Sequence, residues 1–291
     1  MEQEFNKYIG ISAFKSSHTI KNYKHNHKRL TDYLQMPIYE SNPDEVIEAV
    51  NSLAEKPNSR SAILNTAIVF YNMADKDIRK LTKFRADLAE LAKEEKKTID
   101  YNKGMGLPTI EQLNTYLKEL YTTERYADFI LNYLLMNYNT RNIDLDVEIV
   151  NSIHKTKADK TRNYLVVRKH DFVYIRYKYK TFKTYGVKRN TFKSILMERA
   201  IRRLREERGK DSPLFIMSNK DGTRIAESSN SNYVKHRTLG NITEGDINKI
   251  YVSHYIEDGN SKALINLSNN RGTDLQTLFT YNIPQSLYPT T

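Results

Sequence analysis

From Tyr164 to Val187 the chain reads YLVVRKHDFVYIRYKYKTFKTYGV, and the reading of this stretch decides the fold. Tyr164-Leu165-Val166-Val167 and Phe172-Val173-Tyr174-Ile175-Arg176-Tyr177 are dense in β-branched and aromatic residues, which suit a pleated, half-buried surface; the polar run Arg168 to Asp171 separates them. A β-hairpin is predicted. Thr184-Tyr185-Gly186-Val187 adds a third strand, so YKYKTFKT becomes the turn between strands two and three, with Lys180 and Lys183 on it. Outward in both directions the apolar period becomes helical. Upstream, Thr109 caps a helix with Glu111 near its start and Leu113, Tyr116, Leu117 and Leu120 on one face; Tyr126 to Tyr138 is almost wholly apolar and belongs at the centre of a core. Downstream, residues 191–208 place Ile195, Leu196, Ala200, Ile201 and Leu204 inward, with Arg199, Arg202, Arg203 and Arg205 around them. Asn230 to His236, Asp246 to Asp258 and Lys262 to Asn269 are further helices. The fold class is mainly α (α+β), a helical domain carrying a small antiparallel sheet.

The first 95 residues read as four helices. Ser17 caps a stretch in which Ile20, Tyr23, His27, Leu30 and Leu34 recur at three- and four-residue spacing, while Lys21, Lys24, Lys28 and Arg29 take other faces. Asn42-Pro43-Asp44-Glu45 is a start signal, with proline in the first turn and carboxylates at the positive end of the dipole, ahead of Val46, Ile47, Val50 and Leu53. Ile63, Leu64, Ala67, Ile68 and Tyr71 make the third helix, and Ile78, Leu81, Phe84, Leu88 and Leu91 the fourth. Between Lys93 and Pro108 the chain reads KEEKKTIDYNKGMGLP, charged at first and then carrying two glycines and a proline. A linker is expected there, giving domains at 1–95 and 109–291 joined by 96–108.

A chain of 291 residues holds one large domain or two ordinary ones, and 39% hydrophobic against 28% charged residues is the range of folded proteins. Zero cysteines exclude disulfide frameworks, thiolate catalysis and Cys-ligated zinc or iron–sulfur centres, in keeping with a reducing intracellular compartment. Met1 to Ser12 lack the basic-then-apolar layout of a leader, and no apolar run approaches the ~18 residues of a membrane span. A soluble protein is expected, with no membrane partner.

Net charge is +11, and its distribution carries more than its size. Residues 151–210 hold 19 Lys/Arg against 5 Asp/Glu, leaving 27 basic against 30 acidic residues in the other 231. Codon bias toward lysine would spread the excess along the chain. A block of cations interleaved with Tyr and Phe is what a phosphate backbone selects, because each cation that meets a phosphate releases condensed counterions. Double-stranded DNA is therefore the expected partner, with Arg176, Lys178, Lys180, Lys188 and Arg189 as contacts from the block and Lys21, Lys24 and Lys28 from the first helix.

Other chemistries lack their signatures. The seven histidines are scattered, and His25 and His27, two apart, face different sides of a helix, so the pair is expected on the surface and no metal site is predicted. Gly104-Met105-Gly106 has neither a preceding strand nor a following Lys-Ser/Thr, which argues against a nucleotide loop, and no Gly-x-Ser-x-Gly elbow occurs.

The order of elements, a basic helical domain, a charged linker, a helical domain with a small basic sheet, and a late tyrosine in Leu275-Gln276-Thr277-Leu278-Phe279-Thr280-Tyr281, resembles the tyrosine recombinases, the phage-integrase family. The resemblance runs loosely over nearly the whole chain and is sharpest in three places. Asn137-Tyr138-Asn139-Thr140-Arg141-Asn142-Ile143-Asp144-Leu145 is similar to the family's first Arg motif, giving Arg141 the phosphate-clamping role. Lys183, or less favourably Lys180, matches the lysine on the turn between the second and third strands. Arg271-Gly272-Thr273-Asp274-Leu275 through Tyr281 is similar to the closing segment that leads to the nucleophilic tyrosine. The resemblance implies a core-binding (SAM-like) bundle followed by a catalytic-type domain, closing as a C-shaped clamp on duplex DNA, with no cofactor. Family members assemble on DNA through a C-terminal segment, so a homo-oligomer, dimer or tetramer, is implied, with Ile283, Leu287 and Tyr288 available to dock.

Metal-free cleavage needs a nucleophile that stores the phosphate bond covalently, cations around the charge building on the phosphoryl oxygens, and an acid for the departing 5′ oxygen. Tyr281, Arg141 and Lys183 supply these in turn. A free phenol with a pKa of ~10 is a weak nucleophile at neutral pH, so Tyr281 depends on positive neighbours or a general base. Here the sequence departs from the family: alignment through Ile247 to Ser253 sets Gly245 at the family's His, Asn248 at its second Arg, and Thr273 at its His/Trp. Asn cannot offer phosphate the charged fork of a guanidinium, and losing one such contact costs ~10²–10³ in rate. Lys249, His254 and Arg271, with His236 and Arg237 behind them, are the substitutes that folding would have to bring in. Two readings follow: an active strand-cleaving recombinase, or a recombinase-fold DNA-binding protein without cleavage.

Overall fold

A computed structural model describes residues 17–104, 106–153, 159–209 and 212–283. The chain divides into two compact units, residues 1–100 and 101–291.

In the first unit α1 (Ser17–Leu34), α2 (Pro43–Leu53), α3 (Pro57–Met73) and α4 (Arg79–Gly104) surround one core. The start signal at 42–45 works as a capping box: Asn42 Oδ1 accepts from the Asp44 and Glu45 amides at 2.9 and 3.0 Å, and Glu45 Oε2 accepts from the Asn42 amide at 2.9 Å. Leu30, Val46, Ala49, Val50, Ile63, Leu64, Phe70, Leu81 and Leu88 are fully buried together. His27 is buried with them, its ring 4.6 Å from that of Phe70. Only His25 is on the surface, which corrects the expected exposed pair. The 3.6-residue period puts His27 on the stripe of Tyr23 and Leu30, and Lys21, Lys24 and Lys28 outside it, exposed.

The stretch expected as a linker, 96–108, is helical in α4 as far as Gly104, and the division between the two units falls within it. Leu91 and Ile99 are exposed on it, so packing is not what extends the helix past Leu88. Lys and Glu are strong helix formers, and Glu90 pairs with Lys93 at 3.7 Å one turn on.

The second unit begins with α5 (Ile110–Thr122), capped by Thr109 and Gln112 reciprocally, and α6 (Tyr126–Tyr138). Phe129, Ile130, Leu131, Leu134 and Leu135 of α6 are almost completely buried, at the centre of the core as their composition predicts. Then come a 3₁₀ turn (Asn142–Leu145), β1 (Val147–Val150), β2 (Asn163–Val167), β3 (Phe172–Arg176), the single turn α7 (Phe182–Tyr185), β4 (Lys188–Phe192), α8 (Ile195–Arg208) and β5 (Leu214–Phe215). The chain closes with α9 (Asn230–Lys235), α10 (Glu244–Glu257), α11 (Ser261–Arg271) and α12 (Leu275–Phe279).

The sheet is larger than expected and mixed, with strand order β4-β3-β2-β1-β5. The hairpin β2–β3 and the pairs β3–β4 and β1–β5 are antiparallel, whereas β1 and β2 are parallel from Val147↔Asn163. Residues 151–162 provide the long connection that a parallel pair requires. The third hairpin strand also moves, from 184–187 to 188–192, because Phe182–Tyr185 closes a helical turn ended by Gly186 at φ +65°. One face of the sheet, with Leu165, Phe172 and Tyr174, packs into the main core; the other gathers Tyr164, Val166, Val173, Ile175 and Tyr177 into a separate cluster.

Candidate active site

The site is built around the C-terminal end of α11. The last four carbonyls of a helix have no partner within it, and they form the negative end of its dipole. Here each carbonyl from 269 to 272 takes a side-chain donor. Lys188 Nζ donates to Asn269 O, Arg176 Nη1 to Asn270 O at 2.7 Å, Arg141 Nη1 to Arg271 O at 2.5 Å, and Thr181 Oγ1 to Gly272 O at 2.7 Å. Three cations and a hydroxyl from distant parts of the chain are thereby drawn to one helix end.

Arg141 arrives there because α6 stops abruptly. Asn139 caps the helix in the left-handed region (φ 44°), which asparagine tolerates, and it and Thr140 are fully buried. Burial and the nearby Arg271 hold the Arg141 guanidinium below its usual pKa. Arg271 itself is 2% exposed, its Nη1 donating to Asn139 O at 3.3 Å and its Nη2 pairing with Glu244 Oε1 at 3.0 Å. Its guanidinium lies 5.5 Å from the centre of the Tyr281 ring, within cation–π range. Tyr281, half-buried, follows α12, which Asp274 caps through the Thr277 amide at 2.6 Å. Just beyond, the Ile283 amide donates to Ser253 Oγ of α10 at 2.7 Å, fastening the chain on both sides of the tyrosine.

The structure thus brings together Tyr281, Arg141 and Arg271. Lys188 joins them, half-buried, with its pKa lowered to about 8 by burial first and by Arg176 and Arg141 second. Lys183 stands exposed on α7. Asn248 is fully buried in α10, its Oδ1 accepting from Asn139 Nδ2. Gly245 lies in the first turn of α10, where an added Cβ would meet only Thr243 Oγ1, at 3.6 Å. The carbonyl of Thr273 accepts from Ser268 Oγ at 2.6 Å. Lys249 is 3.8 Å from Asp246 and His254 3.1 Å from Asp258, each beside a carboxylate on or next to its own helix. Arg237 pairs with Asp128 at 3.0 Å and stacks on Tyr233, and His236 is exposed.

One of the expected DNA contacts is corrected. Arg176 is 0% exposed, since it shares the inward face of β3 with Phe172 and Tyr174, and it pairs with the equally buried Asp144 at 3.3 Å. Burial pushes the Asp144 carboxyl up against the opposing pull of Arg176. Lys178 is held by Glu227 at 2.5 Å and lies 3.9 Å from Asp146. Lys180 and Arg189 are exposed. The supports Asn139, Asp144, Thr181, Asn190 and Glu244 were not foreseen. Asn139 alone carried a local signal, an asparagine closing an apolar helix. Among the described residues no group of three His, Asp or Glu is placed to hold a metal ion, and no helix is long and apolar enough to cross a membrane.

No protein-family model matches the chain, and no curated protein matches it in sequence. Solved structures do match, and they define the class: the fold is that of the tyrosine recombinases. The Tn1549 transposon integrase, solved in complex with transposon right-end DNA, aligns over 97% of this chain and 94% of its own at 13% identity, with a TM-score of 0.56. A lambda integrase dimer bound to a COC′ core site aligns over 100% of this chain and 79% of its own at 11% identity, also at 0.56. A XerA recombinase aligns over 98% and 94% at 12% identity, with a TM-score of 0.38.

Proposed function

We propose that this protein binds double-stranded DNA and cleaves and rejoins it through a 3′-phosphotyrosyl link on Tyr281. The observation that carries the reading is the placement of two guanidiniums at the late tyrosine: Arg271 over its ring at 5.5 Å, and Arg141 bonded to the Arg271 carbonyl at 2.5 Å. Positive charge there favours the phenolate and would offset the charge developing on the phosphoryl oxygens. Arg271 supplies from the end of α11 the cation that Asn248 cannot supply from α10. The fold and the local excess of Lys and Arg in 151–210 support duplex DNA as the substrate, met inside a cell. Assembly as a dimer or tetramer on DNA belongs to the same reading; Leu287 and Tyr288, expected to serve it, lie outside the described residues.

The experiment is a pool of nicked duplexes, randomised around the nick, incubated with the protein and run on a denaturing gel. A covalent adduct that disappears in Tyr281→Phe is the expected result. The second reading, a recombinase-fold DNA-binding accessory or architectural protein, is favoured by Asn248 at the family's second Arg position and by the Glu244 carboxylate that engages Arg271. Salt-sensitive duplex binding without any adduct would establish it in place of the first.

A further inference from the structure

Glu244 is the first residue of α10, and Thr243 and Asp246 close a capping box around that helix end. The helix dipole favours a carboxylate there, but this one turns away from its own helix: Oε1 accepts from Nη2 of Arg271, the last residue of α11, at 3.0 Å. Arg271 is 2% exposed, and its other bond, Nη1 to Asn139 O, is longer at 3.3 Å, so the carboxylate is the firmer of the two contacts that hold the guanidinium at the Tyr281 ring. Arg271 Nε and Glu244 Oε2, both buried, have no hydrogen-bond partner to draw them elsewhere. Gly245 carries no side chain and Asn248 is bonded to Asn139, so neither competes for the guanidinium. The charged groups of the elements beside the phenol are Arg271 of α11; Arg141, within electrostatic range of Tyr281; Asp274 at the start of α12, engaged by the Thr277 amide; and Glu244, Asp246 and Lys249 of α10, the last two 3.8 Å apart.

We propose that Glu244 is a positioning residue for Tyr281: its carboxylate holds the Arg271 guanidinium at the phenol ring, and its charge, set against that of Arg271, restrains the ionisation of the phenol. The consequence for rate rests on the strand-cleavage reading above, in which Tyr281 is the nucleophile. A guanidinium bonded to a carboxylate presents the ring with a dipole, weaker and shorter in range than a lone cation. The two parts of the role separate chemically. Glutamine keeps the acceptor and drops the charge, so Arg271 stays in place unopposed and the phenolate is favoured. Aspartate keeps the charge on an arm one methylene shorter, which draws the guanidinium toward α10 and off the ring, so the neutral phenol is favoured. Opposite responses to these two changes are the mark of a residue that works by holding a cation in place, and loss of packing alone does not produce them.

The test titrates the full chain, labelled with carbon-13 at Cζ of tyrosine, in the absence of DNA; the Tyr281 signal is the one missing from Tyr281→Phe, and the other tyrosine signals report that each variant is folded. Glu244→Gln is expected to lower the pH at which Tyr281 ionises by about 1–2 units, and Glu244→Asp to raise it. Adduct formation on a sequence recovered from the pool of nicked duplexes should follow: Glu244→Gln about tenfold faster than wild type at neutral pH and merging with it toward pH ~10, Glu244→Asp slower throughout. A Tyr281 titration unmoved in both variants, or moved in the same direction by both, overturns the assignment. If Glu244→Gln does not fold, Glu244→Asp decides by itself, and an unmoved or lowered titration overturns it. Because the titration needs no cleavage, the two failures are distinct. Adduct formation with an unmoved titration removes the assignment and leaves the strand-cleavage reading; opposite shifts with no adduct from any form of the protein support the assignment and remove that reading.

Discussion

Replacing Arg176 by methionine keeps the unbranched stem of the side chain and removes the guanidinium and its charge from the most enclosed ionic contact among the described residues of the second unit. Arg176 and Asp144 are both 0% exposed and 3.3 Å apart, where an effective dielectric of ~20 gives an attraction of about 5 kcal/mol. Dehydrating each ion costs several kcal/mol, so the intact pair contributes little net stability. Removing one partner is another matter. Asp144 Oδ1 already lacks a hydrogen-bond partner, and without Arg176 the carboxylate loses its paired cation, Asn190 Oδ1 loses its donor at 3.1 Å, and Asn270 O keeps only Lys188 Nζ at 3.4 Å. Breaking such a pair costs about 3–5 kcal/mol. Urea unfolding followed by circular dichroism, with hydrogen exchange of the β2 and β3 amides to assign the transition, should show that loss for Arg176→Met. Asp144→Asn in the same background should restore part of it, so that the double variant costs about 1–3 kcal/mol less than the sum of the single ones. Strict additivity, or a loss under about 1 kcal/mol for Arg176→Met, would refute the reasoning.

Three further outcomes can be checked. Duplex affinity measured against salt should lose about 0.9 from its logarithmic slope for each of the exposed Lys180→Ala and Arg189→Ala, and nothing for Lys178→Ala, whose ammonium is engaged by Glu227. Gly272→Ala places a Cβ 2.6 Å from Thr181 Oγ1 at a residue with φ +65°, so the end of α11 must shift; thermal unfolding should show a loss of at least about 2 kcal/mol. For Lys188 the folded pKa, about 8, lies below the ordinary 10.5, so between these values the unfolded chain holds a proton that the folded one has lost. Stability of wild type relative to Lys188→Met should therefore rise with pH from about 8 to about 10.5 and be flat below, as read from urea midpoints at successive pH values.

How far the sequence led can be judged from Arg176. Helices declared themselves through their period and caps: Asn42 to Glu45 and Thr109 to Gln112 close reciprocal hydrogen bonds where residue type asks for them. The hairpin was legible for the same reason, being local. β1 was not, because four residues whose pairing is parallel and across a long connection carry too little local pattern. The length of α4 was not legible, because a charged run leading to two glycines and a proline reads as a connection, while Lys and Glu keep it helical as far as Gly104. Arg176 was read by composition, as one cation in a basic block, when its alternation with Phe172 and Tyr174 already placed it on the core side of β3. Charge counting says that cations are present, while period two says which of them water can reach. The same distinction separates Arg271 and Lys188 from Lys180 and Lys183. The first pair is committed to the end of one helix by contacts spanning about 80 to 130 residues, which no local pattern records. What the sequence did offer was the coincidence of a first-motif arginine, a glycine at 272 and a tyrosine at 281. Their meeting depends on α11 ending where it does, with four carbonyls left over for partners that only the folded chain supplies.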